Sequence, residues 1–179
     1  ETIMYYGVQD MVSRQRMIFE GNGGEQHKLL EYKRLEALIG YCETSGCRRL
    51  ALLSYFEETV VKCGNCDNCI QPPKVEDCSN LAKQVITAIK QTGQYFGMAH
   101  VIDVVRGSET QKIKAKSHDA LEIFGIAKTQ SRQTLQSLIR QMIAGNALKV
   151  NLEKFGALEI TDRGCRILHK NEQFMAKAI

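Results

Sequence analysis

Cys63-Gly64-Asn65-Cys66-Asp67-Asn68-Cys69, with Pro72-Pro73 just beyond it, is the stretch on which the reading of this chain turns. Three thiols at C-x2-C-x2-C spacing are too close to frame a disulfide scaffold, and the total of seven cysteines is odd. Clustered thiols of this kind point to a metal. A closed tetrahedral site needs a fourth ligand. The candidates are Cys47, Cys42, Cys78 and the histidines. Cys47 is the best placed, because it stands at the start of a helix whose unpaired amides favour a thiolate. Gly64-Asn65 and Asp67-Asn68 allow the tight turns of a knuckle, and their amides can donate to sulfur. Zinc at Cys47, Cys63, Cys66 and Cys69 is therefore the expected cofactor. The rival is an iron–sulfur cluster, but the ferredoxin-type run wants a Cys where this chain has Pro73. Reduced thiols with no metal would be open to oxidation.

The adjacent prolines also divide the charge. Residues 1–78 carry a net −3 and residues 79–179 a net +7, within an overall +4. The second part is the candidate for contact with a polyanion. With 44% hydrophobic residues the chain is globular in composition, and no apolar run is long enough to span a membrane. Glu1 stands where a Met would open a complete protein, and no signal peptide precedes the fold, so the chain reads as a piece of a longer intracellular protein.

Working outward, residues 4–10 read as the end of a strand leading into a helix near 11–20. Gly21-Asn22-Gly23-Gly24 is a turn. Leu29, Leu30, Leu35, Leu38 and Ile39 fall at helical spacing over 25–42. A short helix over 48–56 follows, with Leu50, Leu53 and Phe56 on one side. The first part is thus a helical hairpin plus a knuckle with a small core of its own, joined by a polar linker through Ser79-Asn80. Beyond it, helices are expected over 81–90, 98–105 and 131–144, the last capped by Ser131. Residues 108–125 are mixed. Residues 148–152 and 158–161 alternate like strands around a hairpin tip at Glu153-Lys154-Phe155-Gly156. Three helices and a two-stranded wing are the winged-helix order, with the third helix as the usual groove reader. The predicted fold is mainly α with a small β wing: a helical zinc-binding subdomain over 1–78, then a winged-helix domain over 79–179.

No P-loop, nucleophile elbow or paired carboxylate is present, so no catalytic residue is expected. Lys112, Lys114 and Lys116 alternate with Ile113 and Ala115, either as a solvated face or as a grip on phosphates. His27, His100, His118 and His169 show no ligand spacing and read as helix-face or hydrogen-bonding residues. Phe155, an aromatic beside Gly156, either folds back or works as a wedge against a base pair.

Thr44-Ser45-Gly46-Cys47-Arg48-Arg49-Leu50, Tyr55-Phe56, the cysteine run and Pro72-Pro73 together resemble the zinc-binding subdomain of RecQ-family DNA helicases, bacterial members above all. Phe96-Gly97-Met98, Val105-Arg106-Gly107, His118-Asp119, Phe124-Gly125-Ile126 and Ile139-Arg140-Gln141 resemble that family's winged helix in the same order. Tyr5-Tyr6-Gly7 and Asp10 are similar to the tail of its second motor lobe. The resemblance implies a parent that is an ATP-dependent 3′-to-5′ DNA helicase of recombination and repair, cytoplasmic and nucleoid-associated. ATP and Mg would be used only by motor lobes outside this chain. It further implies one zinc ion on the four cysteines, and duplex or forked DNA and the motor lobes as partners, with no membrane. The DNA-facing set is then Arg106, Lys112, Lys114, His118, Ser131, Arg132, Lys154 and Phe155, with Phe155 at the hairpin tip. Three positions depart from the family pattern: Ser117 and Ala127 stand where Gly is usual, and Leu135 where an aromatic is frequent. The competing readings are a metal-dependent winged-helix transcription regulator and a protein-docking module.

Overall fold

The structure, a computed structural model, describes residues 4–56, 58, 61–151, 154 and 156–178. Helix α1 (Val8–Glu20) begins earlier than expected. Gly7 is its N-cap, and the Asp10 carboxylate accepts from the Gly7 amide at 2.7 Å. Residues 4–7 form no strand. Val8, Met11, Val12 and Gln15 make the buried stripe at the i, i+3, i+4, i+7 spacing that one helix face requires. The Gly-rich turn then sends α2 (Glu25–Glu43) back against α1. Helix α3 (Arg48–Tyr55) starts on Cys47, and the single turn α4 (Asp67–Ile70) lies inside the cysteine run. Phe56, expected on the apolar side of α3, is 62% exposed.

The winged helix follows as α5 (Ser79–Gln91), α6 (Met98–Arg106), α7 (Gln111–Ala115), α8 (Arg132–Ala144), β2 (Leu148–Asn151) and β3 (Ala157–Ile160). Helix α5 buries Ala82, Val85, Ile86, Ala88 and Ile89 completely. Each Val or Ile so buried contributes about 1.5–3 kcal/mol. Ser131 caps α8, its Oγ accepting from the Thr134 amide at 3.0 Å. Leu135, Leu138, Ile139 and Met142 then enter the core. Strands β2 and β3 pair antiparallel, with Leu148 opposite Ile160 and Asn151 opposite Ala157. Phe155, Leu152 and Glu153 of the hairpin lie outside the described residues.

Two features were not expected. Helix α9 (Asp162–His169), capped by Thr161, packs behind the wing. Strand β1 (Val75–Asp77) lies within the linker and pairs antiparallel with β4 (Met175–Lys177). The ladder extends at both ends, from the Ala178 amide to the Lys74 carbonyl (2.8 Å) and from the Cys78 amide to the Phe174 carbonyl (2.9 Å). The separate small core expected for the first part is also absent among the described residues. Val8, Met11, Val12 and Ile39 belong to one apolar cluster continuous with the winged-helix core.

Candidate metal centre and nucleic-acid interface

The end of α2, the start of α3 and the turn α4 bring Cys47, Cys63, Cys66 and Cys69 together, all four sulfurs within 4.8 Å of one another. Cys47 and Cys63 are 3.5 Å apart, Cys63 and Cys69 4.0 Å. A tetrahedron with Zn–S bonds of about 2.3 Å has S···S edges of about 3.8 Å, so the donors present fit one zinc ion. The backbone is arranged for thiolates. The amides of Cys63 and Leu50 both donate to Cys47 Sγ at 3.4 Å. The Cys63 amide first, and Leu50 next, pull the Cys47 thiol down to about 6. The Arg48 amide holds Cys66 below the ordinary thiol range. The Cys66 sulfur, followed by burial, pushes Cys69 up, because crowded thiolates resist ionising together without a cation. Cys42 is half-buried on α2, Cys78 packs against the core, and Cys165 is exposed on α9.

A ring of polar contacts fixes this loop, and sequence reading missed it. Arg48 Nε donates to both Asp67 oxygens at 2.7 and 2.8 Å, and its Nη1 donates to the Tyr41 carbonyl at 3.0 Å. Asn68 Nδ2 donates to the carbonyls of Thr44 (2.9 Å) and Gly46 (2.8 Å). Glu43, at the end of α2, accepts from the Tyr6 hydroxyl and from Arg140 Nε of α8. One nearly buried carboxylate thereby joins Tyr6, the end of α2 and helix α8. Gln141 of α8 exchanges bonds with the Lys177 backbone of β4. None of these contacts leaves a local sequence signal beyond the residue types themselves.

The basic residues expected to face DNA fall into three groups on the winged helix. Ser131 and Arg132 open α8, where Arg132 pairs with Asp103 of α6. Arg106 closes the same α6, half-buried, its Nε buried without a hydrogen-bond partner among the described residues. Lys112 lies over the Phe96 ring at 5.5 Å, and Lys114 pairs with Glu109 at 2.8 Å. His118 Nδ1 meets His100 Nε2 at 2.8 Å, and Phe96 stacks on His100 at 4.1 Å. On the wing, Lys154 and Lys149 pair with Glu159, at 2.8 and 3.2 Å. Lys154 and Asn151, with Lys149 adding to them, hold that carboxyl down to about 2. Ser117 adopts φ +55°, in the left-handed region that suits Gly. Leu135 is fully buried, and Ala127 is 3% exposed. Among the described residues no helix is long and apolar enough to cross a membrane.

A family model described as the RQC domain matches residues 72–179, and one described as RecQ zinc-binding matches residues 8–70. The ATP-dependent DNA helicase RecQ of Pasteurella multocida (strain Pm70) is 36% identical over 181 residues, covering 100% of this chain and 28% of the relative. That of Haemophilus influenzae (strain ATCC 51907 / DSM 11121 / KW20 / Rd) is 36% identical over 175 residues, covering 97% and 28%. That of Bacillus subtilis (strain 168) is 27% identical over 178 residues, covering 99% and 30%. The chain spans less than a third of the length of these relatives. The four-cysteine knuckle lies within the zinc-binding match and the helix-and-wing fold within the RQC match, and on these matches the chain belongs to the RecQ helicase family, of which it carries the zinc-binding and RQC regions.

Proposed function

We propose that this chain is the zinc-stabilised DNA-binding module of an ATP-dependent 3′-to-5′ RecQ-type helicase, engaging duplex or forked DNA and aiding strand separation in recombination and repair in the bacterial nucleoid. ATP and Mg serve motor lobes elsewhere in the parent protein, which are its second partner. One zinc ion would sit on Cys47, Cys63, Cys66 and Cys69, neutralise the thiolates and tie α3 to the knuckle. Sites of this kind contribute about 10 kcal/mol or more of binding free energy to folding.

The observation that carries the reading is the winged helix itself, with Ser131 and Arg132 at the exposed start of α8 and a net +7 over residues 79–179. Arg106, Lys112, Lys114, His118, Ser131 and Arg132 face the phosphates, and Lys154 with Phe155 faces the terminal pair. Contacts to phosphate carry no sequence information, which suits an enzyme that must act on any duplex. The Arg132–Asp103 pair orients the guanidinium before DNA arrives.

Fluorescence anisotropy of the zinc-loaded chain on duplex, forked and single-stranded DNA across a salt series tests this. The expected result is sequence-independent binding to duplex or fork that falls steeply with salt. Absence of binding at low salt overturns it. Arg132→Ala is expected to weaken all sequences alike, and a sequence-selective loss would refute the phosphate assignment.

A further inference from the structure

The turn between α5 and α6 presents one aromatic side chain to solvent in a way its surroundings do not require. Tyr95 is 66% exposed. The turn that carries it is built rather than loose. Gly93 has φ +75°, and Gln94 follows at φ +59°, a conformation that non-glycine residues seldom adopt. The strained residue is pinned. Its amide donates to the Ile89 carbonyl at 3.0 Å, and its side-chain Oε1 accepts from the Ile160 amide of β3 at 2.8 Å. On the other side of Tyr95, the Phe96 carbonyl accepts from the Leu158 amide at 3.0 Å. The turn is thus fastened to the wing strand on both sides of Tyr95. Strain held in place by surrounding bonds is a mark of functional positions.

The neighbours have the chemistry of a nucleobase platform. Lys154 Nζ lies 4.8 Å from the centre of the Tyr95 ring and is held by Glu159, which also holds Lys149. Lys112 lies over Phe96, the next residue along. An exposed ring among cations matches the two requirements of single-strand binding: a π-face for a base and positive charge for its phosphate.

We infer that Tyr95 is a stacking platform for an unpaired nucleobase at the foot of the wing. The inference rests on the DNA-binding reading above and deepens it: the wing region receives the first base of a single-stranded extension, and Lys154 and Lys112 meet the flanking phosphates. Tyr95 belongs to the α5–α6 connection rather than to the wing hairpin, whose Lys154 it meets.

The chain has no Trp, so Tyr95→Trp supplies a single indole reporter. It would be titrated, zinc-loaded, with a blunt hairpin duplex and with the same duplex bearing a short single-stranded tail on one strand or the other. Quenching by a tailed duplex and not by the blunt one is the expected result. In anisotropy, Tyr95→Ala should lose affinity for the tailed duplex by about 5- to 100-fold, the range for one stacked base, and keep its affinity for the blunt one. If the wild-type chain binds blunt duplex but the indole is silent to a tail, or responds equally to both, the platform is refuted while the DNA-binding reading stands. If neither DNA binds the wild-type chain, both fall together. Unchanged tailed-duplex affinity in Tyr95→Ala also overturns the platform.

Discussion

Replacing Arg48 by Ala should loosen the metal knuckle without touching a ligand. Arg48 reaches from the first turn of α3 to Asp67 in the cysteine run and to the Tyr41 carbonyl near the end of α2. Asp67 is 60% exposed, so the ion pair is worth only about 0.5–1 kcal/mol, although Arg48 Nε meets both carboxylate oxygens. The charged hydrogen bond to the Tyr41 carbonyl, made by a guanidinium that is itself largely covered, adds about 1–1.5 kcal/mol. The sum, about 2 kcal/mol, corresponds to about a 30-fold loss of zinc affinity if the loop orders only with the metal bound. Outer-shell partners of metal sites commonly carry about 10- to 100-fold, so the two routes agree. Competition with a chromophoric chelator reads the affinity directly. Arg48→Lys keeps the charge but lacks the planar guanidinium that meets Asp67 through Nε and the Tyr41 carbonyl through Nη1, and should fall between wild type and Ala. A change below about threefold for Arg48→Ala would show that the four thiolates order the loop alone, and the buttress argument fails.

Other outcomes follow from packing and charge. A Cβ at Gly164 would meet the Ala147 carbonyl oxygen at 2.4 Å and Ile160 Cγ2 at 2.8 Å, so Gly164→Ala should destabilise the winged helix by about 3 kcal/mol or more, seen in a denaturant melt. Ser117→Gly relieves a left-handed serine and should stabilise by up to about 1 kcal/mol, with a raised melting temperature. Burial, helped by the charges of His118 and Lys112, takes His100 from its ordinary 6.5 down to about 4. The unfolded chain therefore binds a proton that the folded one refuses. This contribution to stability is full above pH 6.5 and is lost as pH falls towards 4, by about 2 kcal/mol for a side chain this covered, and His100→Gln should flatten that slope. Glu43→Gln removes the charge that Arg140 meets and should cost about 1–2 kcal/mol, and a melt unchanged by the substitution would deny the junction its role.

The clustering of the four thiols was legible because its information is local. Three of the cysteines lie within seven residues, and the fourth announces itself as a helix cap. Helix α8 was legible for the same reason, through Ser131 and its apolar spacing. Strands β1 and β4 were not. Each has three residues, β1 is exposed throughout, and the partner lies about a hundred positions away, so neither alternates visibly. The Glu43 junction joins residues 6, 43 and 140, and no periodicity encodes such a meeting. The basic residues were found by type, but their engagements were not: Lys114 with Glu109, Arg132 with Asp103, and His118 with His100 became visible only once the fold set them side by side. Tyr95 was passed over because a lone aromatic in a turn reads as ordinary surface.

The β1–β4 ladder makes the winged helix a ring of chain. Its entry at Lys74 and its exit at Ala178 are hydrogen-bonded neighbours, at the spacing of adjacent strands, about 4.8 Å. Such a domain should tolerate circular permutation, with a short bridge joining 178 to 74 and new ends cut elsewhere on its surface, and a cooperative melt of the permuted domain checks it. Opening the ring at the wing hairpin would free the tip from chain continuity while leaving α5, α6 and α8 in place. A permuted domain that folds and still grips duplex, yet no longer distinguishes a fork, would separate the holding of DNA from its parting.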